Sequence, residues 1–387
     1  RTRLSDFKSA ATSFEVAVSL DVVNTQRHEI LAELYTLLGP EFAAKAVSEH
    51  QILIKEQPNK HDSYKALGRI YMDTRQYDKA WCLYSTLTFL KKADPAEQQF
   101  YQQYKEKGFV RARHRMTDEL WMRHMFHADQ DRFISAIFGV VAPVFAGLTA
   151  RPHKAFKLKR KERRDVNTDP LLFSKVFGYV TSVLAVTQAE LYLQPNQQMG
   201  LQMAHTSEVP SFVVGADLLQ GRPEKELAFA IGKQLTYLRP EHFLRNVLGA
   251  PSQLRTVFFS ALKMVEPNFP VPPADLPAVD QTIKRVAGKF HPAQAEALTN
   301  LVRKFASTGR GVDLNKWWTA TELTANRVGF LLCNDLSVVV KMLKSEPATV
   351  GSMSLQEKVK DLVLFSVSES YFAARNALGL TIGQRQG

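Results

Sequence analysis

The sequence predicts a mainly α-helical protein with one small antiparallel sheet in its second half. Three observations lead there. Apolar residues recur at helical spacing along most of the 387 residues, and the N-terminal part repeats itself at an offset of 34. Three short alternating or β-branched runs, bounded by Pro and Asn, lie between residues 190 and 215. The hydrophobic share of 45% is that of a folded chain, and the length suits two or three domains. The segments expected are helical hairpins over 1–111, a helical connection with a basic loop over 112–168, and an α+β domain over 169–387.

From about Thr12 to Lys92 the pattern is one of helical hairpins. Ala46, His50, Leu53 and Pro58 recur 34 residues later as Ala80, Tyr84, Leu87 and Lys92, and Leu34 recurs as Gly68. The second copy carries a large-small-aromatic series in Tyr64, Leu67, Gly68, Tyr71, Ala80 and Tyr84; small residues let two helices approach and aromatics fill the gap between them. This segment resembles the tetratricopeptide repeat, which has the same period. The resemblance implies stacked hairpins that need neighbours to bury their faces and that offer a concave surface to a partner peptide or helix.

Residues 94–151 continue helical. His124 and His127 stand one turn apart with Asp131 a turn further, a set read as ordinary helix packing because it matches no metal motif. Phe133 to Ala150 runs eighteen residues without a charge, but Gly, Ala, Ser, Thr and a central Pro dilute it, so a buried core helix is expected and no membrane span. Next comes His153 to Arg164, where Lys154, Lys157, Lys159, Arg160, Lys161, Arg163 and Arg164 leave only one Glu. Such a run can engage an anionic partner, although it lacks the interleaved aromatics of a single-strand binder; the alternative is a solvated loop.

Leu171 to Val186 has helical spacing, and the strand runs Glu190–Gln194, Gly200–Ala204 and Ser211–Gly215 follow. A turn at Gln220–Pro223 opens a helix expected from Glu224 to Leu238, stopped by Pro240. Phe243 to Val265 reads as one helix, the five-proline stretch Glu266–Pro277 as an extended linker, and helices are expected near 278–289, 291–306, 313–332 and 334–344. The tail from Ser354 reads as a single helix ending near Gly379.

The strands, then Glu226-Leu-Ala-Phe-Ala-Ile-Gly232 opening a helix, resemble the M48-type metallopeptidase family of gluzincin-like enzymes, as does Val213-Val-Gly-Ala-Asp-Leu-Leu219. That family's helix carries His-Glu-x-x-His, two imidazoles for one zinc and a Glu as general base. Here Lys233, Gln234 and Tyr237 stand at those three positions. The third ligand's pattern is matched by Glu322-Leu-Thr-Ala-Asn-Arg-Val-Gly329, with Asn326 in place of an Asp. The resemblance therefore implies a zincin-like core without its metal: a protonated Lys repels a cation, and an amide cannot take a proton from water. Lys233 and Glu322 are expected to form a structural ion pair.

Nothing else offers a catalytic constellation; Ser307-Thr-Gly-Arg-Gly311 reads as a loop, and Trp317-Trp318 as core. Metal and cofactor are expected to be absent. Two distant cysteines, Cys82 and Cys333, exclude a disulfide framework and suit a reducing, cytoplasmic setting. Opening on Arg1-Thr-Arg3 without Met, the chain reads as a fragment or processed product. The net charge of +12 favours acidic partners. The expected function is a non-catalytic interaction scaffold with a protein partner. The alternatives are an anionic partner, nucleic acid or membrane surface, at 153–164, and a residual hydrolase.

Overall fold

A computed structural model describes residues 2–248, 250–309, 311–346 and 353–384. The chain forms two compact units, Arg1–Lys107 with Val359–Gly387, and Gly108–Lys358. It is mainly helical, with a small four-stranded sheet among the described residues.

Six helices open the first unit: α1 (Thr2–Leu20), α2 (Thr25–Leu38), α3 (Ala43–Glu56), α4 (Asp62–Asp73), α5 (Tyr77–Phe89) and α6 (Pro95–Tyr104). Asn24 caps α2 by accepting from the Arg27 N–H, and Asp94 with Glu97 forms a capping box on α6. The second helices of the two hairpins start at 43 and 77, a spacing of 34, whereas the first start at 25 and 62, because a 3-10 turn at Pro40–Phe42 lengthens the first hairpin's connection. Tyr64, Leu67, Tyr71, Ala80 and Tyr84 are all buried between α4 and its neighbours. A Cβ on Gly68 would lie 2.5 Å from Tyr84 Cε1, so only glycine lets α4 and α5 approach this closely.

The second unit begins with α7 (Asp118–Leu120), which runs into a π-turn at Trp121–Met125, and then α8 (Arg132–Thr149). By length and composition α8 is apolar enough to cross a membrane, yet half of it is buried inside the protein, where Ile134, Ile137, Phe138, Val141 and Phe145 meet Phe258, Val302 and Trp317. There follow β1 (Arg163–Arg164), α9 (Leu172–Leu184), β2 (Glu190–Gln194), β3 (Leu201–Ala204), β4 (Ser211–Gly215), α10 (Ala216–Leu219), α11 (Glu224–Leu235), α12 (Pro240–Leu248), α13 (Pro251–Val265), α14 (Leu276–Val286), α15 (Pro292–Ser307), α16 (Leu314–Cys333) and α17 (Leu336–Lys344).

The sheet is mixed, not antiparallel. Its order is β1-β2-β4-β3, with β2 parallel to β4 and the other two pairings antiparallel. Every residue of β4 is buried, which suits a central strand, while β3, buried only at Leu201 and Ala204, takes the edge. Two expected helices are broken at their prolines and turns. α11 tightens into a 3-10 turn at Thr236–Leu238 before Pro240, and the stretch after it restarts at Pro251.

The tail is two helices, α18 (Leu355–Ser366) and α19 (Glu369–Leu378), and the boundaries expected at 111 and 168 are not those of the compact units. From residue 359 the chain belongs with the N-terminal hairpins. The guanidinium of Arg375, fully buried, donates to both Asp78 oxygens at 2.7 and 3.0 Å and to the Leu380 carbonyl, and lies 5.0 Å over Trp81. Phe372 packs edge-on against Tyr71, and Ser366 bonds Thr86 at 2.9 Å. The N-terminal hairpins are thus packed against the chain's own C-terminal helices.

Candidate functional site

Helix α11 crosses α16 at two glycines. A Cβ on Gly329 would sit 2.7 Å from the Phe229 carbonyl oxygen, and one on Gly232 would sit 3.3 Å from Gly329 Cα. That close approach fixes Lys233, next to one glycine, and Glu322, two turns before the other. Lys233 and Tyr237, four residues apart, share a helix face.

Lys233, Gln234, Tyr237 and Glu322 line one cavity of about 660 Å³, together with Arg245, Glu346 and Lys358. Asn326 is buried one turn past Glu322, and neither of its amide atoms has a hydrogen-bond partner. The expected Lys233–Glu322 pair does not form. The Lys233 ammonium donates to Glu346 at 2.6 and 2.7 Å, and Glu322 is held by Lys358 at 2.5 Å and faces Arg245 at 3.8 Å. The reason is supply: two further charges reach the cavity from the end of α17 and the start of α18, and each buried ion takes a nearer opposite.

Arg245 lies over the rings of Tyr237 and Trp318, at 4.9 and 4.4 Å. Burial lowers the Lys233 ammonium below its ordinary range, the Glu346 carboxylate opposing that shift, and burial lifts the Tyr237 phenol to about 12. Three cations thus face two carboxylates. This donor set does not fit a divalent metal, because two ammonium groups, an amide and a neutral phenol occupy the space and the Glu322 carboxylate is already engaged. Among the described residues no cluster of three His, Cys, Asp or Glu is placed to hold a metal ion.

Arg245, on the helix that follows, and Glu346 and Lys358, far along the chain, are isolated charges that no sequence pattern marks. His124 lies in the π-turn, His127 accepts from the Asp129 N–H, and Asp131 caps α8 through the Phe133 and Ile134 N–H groups, so the three serve local structure. Trp317 and Trp318 are both core; Trp317 donates to Ser135, and Trp318 also carries Arg245 over its ring. Neither cysteine is in a disulfide, and both are buried.

The basic run divides in two. Arg163 pairs with Glu190 at 2.9 Å, and Arg164 with Asp169 at 3.6 Å, both as part of the sheet edge. Lys154, Lys157, Lys159, Arg160 and Lys161 are exposed and have no carboxylate partner among the described residues.

No protein-family model, curated protein or solved structure matches the chain.

Proposed function

We propose that this chain is a non-catalytic interaction scaffold, in which tetratricopeptide-like hairpins are joined to a metallopeptidase-like domain that has exchanged its metal chemistry for ion pairs. The observation that supports this reading is that Lys233, Gln234, Tyr237 and Glu322, the positions the resemblance assigns to a zinc helix and a distant third ligand, line one cavity, where Glu346 pairs with Lys233 and Lys358 with Glu322. An ammonium at the first ligand position and an amide at the base position leave no group to activate water.

The hairpin unit supplies the surface for a partner. Tyr71 and Tyr84 are buried packing residues, so docking falls to accessible groups. A cavity of about 620 Å³ is lined by Arg75, Tyr77, Tyr104, Phe372 and Asn376, with Tyr77 45% exposed. A photo-crosslinking residue placed at Tyr77 in the full chain should capture one protein saturably, and Asn376→Arg should abolish that capture. Cleavage of an unfolded protein by the purified chain, lost in Glu322→Gln, would overturn the reading.

A further inference from the structure

We infer that the ledge formed by Lys154, Lys157 and Lys159 is a binding site for a small polyanion bearing two or more phosphate groups, independent of the scaffold reading. The three lysines line a cavity of about 660 Å³ whose opposite wall is the β2–β3 turn, with the amides of Gln194, Asn196 and Gln197. Ammonium groups on one side and neutral amide donors on the other are the groups that phosphate oxygens take.

The site is held in shape before any ligand arrives. Between the outward lysines, Phe156 and Leu158 pack inward against Tyr192, Ala204 and Val213 on the sheet, so the run is seated and alternates by construction. Lys157 closes a 3-10 turn in the left-handed region, its N–H donating to the Lys154 carbonyl at 3.1 Å. The far wall is fixed from β4: the Ala216 N–H donates to the Gln197 carbonyl at 2.7 Å, and a Cβ on Gly215 would meet that same oxygen at 2.5 Å.

The nearby acids are spent on this frame. Glu190 accepts from Tyr192 and pairs with Arg163 and His153, Asp169 accepts from Ser174, and Glu162, on the cavity's rim, accepts from the Lys159 N–H and the Gln194 amide. Arg163 and Arg164 serve the fold, and the three lysines line the cavity without an ion pair among the described residues, Glu162 being the carboxylate on its rim. Three like charges on one cavity repel one another, which a bound polyanion relieves.

The test is calorimetric titration of the full chain with inorganic tripolyphosphate, alongside sedimentation with vesicles of phosphatidylcholine containing phosphatidylinositol bisphosphate. Lys154→Ala/Lys157→Ala/Lys159→Ala is compared with Lys284→Ala/Arg285→Ala/Lys289→Ala, which removes the same charge from an exposed stretch elsewhere in the unit. Saturable tripolyphosphate binding weakened about tenfold by the first variant and under about twofold by the second supports the site, as does the same ranking with vesicles. Tripolyphosphate binding identifies a free phosphate ligand, and vesicle binding alone a headgroup. Equal weakening by both variants, no saturable binding, or binding confined to a 20-residue RNA oligonucleotide overturns it.

Discussion

Lys233 and Glu346 form one bond but do not share its burial: the lysine side chain is 8% exposed and the glutamate 32%. Removing the glutamate strands a buried ammonium, while removing the lysine leaves a carboxylate that water reaches. Glu346→Ala should therefore cost about 2 kcal/mol in urea unfolding, Lys233→Met under about 1, and the double variant about as little as Lys233→Met. Equal costs for the two single variants would contradict this asymmetry. His242 contributes to the pH dependence, as does His50, whose pKa burial also lowers to about 4. Burial holds the pKa of His242 down to about 4, and its ring nitrogens meet the Gln130 amide at 2.7 Å and the Thr236 carbonyl at 3.4 Å, with the ring of Phe126 alongside. The unfolded chain takes up the proton first, so stability present above about 6.5 is lost as pH falls toward 4, by at most about 3 kcal/mol. Denaturation midpoints from pH 7 to 4 should fall less steeply in His242→Gln, with the other buried histidines contributing equally to both proteins.

The crossing of α11 and α16 decides where the site lies, and its two glycines are not equivalent. The nearest obstacle at Gly232 is the tip of Leu332, which can rotate away, whereas at Gly329 it is backbone, the Phe229 carbonyl. Gly329→Ala should cost about 3 kcal/mol and Gly232→Ala about 1, read from denaturant midpoints. At this scale much was legible in the sequence. Strands β2, β3 and β4 stand where β-branched alternation placed them, since that pattern is local. The parallel β2–β4 pairing was not legible, because it depends on β4 being buried on both faces, which its neighbours impose. The strand β1 was hidden inside a run of charge, and the helix breaks before Pro251 and at Val367 follow local start signals, a proline at the first helical position and the Ser368 cap, that apolar spacing does not record.

At the scale of the molecule, the large-small-aromatic series announced the hairpin packing, but nothing local announced that Arg375 would reach Asp78 and return the last helices to the first unit. The same distinction holds in the cavity: the motif positions Lys233, Gln234, Tyr237 and Glu322 were legible as a pattern, while Arg245, Glu346 and Lys358, which determine its chemistry, were not. We propose that this cavity is a zinc site converted to ion pairs. Lys358 then matters as much as the motif, since it holds the carboxylate that would be the third ligand. The most direct measurement is zinc titration of the full chain and of two folded variants. Lys233→His/Gln234→Glu/Tyr237→His should bind zinc weakly, and the same variant with Lys358→Ala should bind one equivalent about a hundredfold more tightly than the unchanged chain. Stoichiometric zinc in the unchanged chain, or no zinc in the natively folded fourfold variant, would contradict the account.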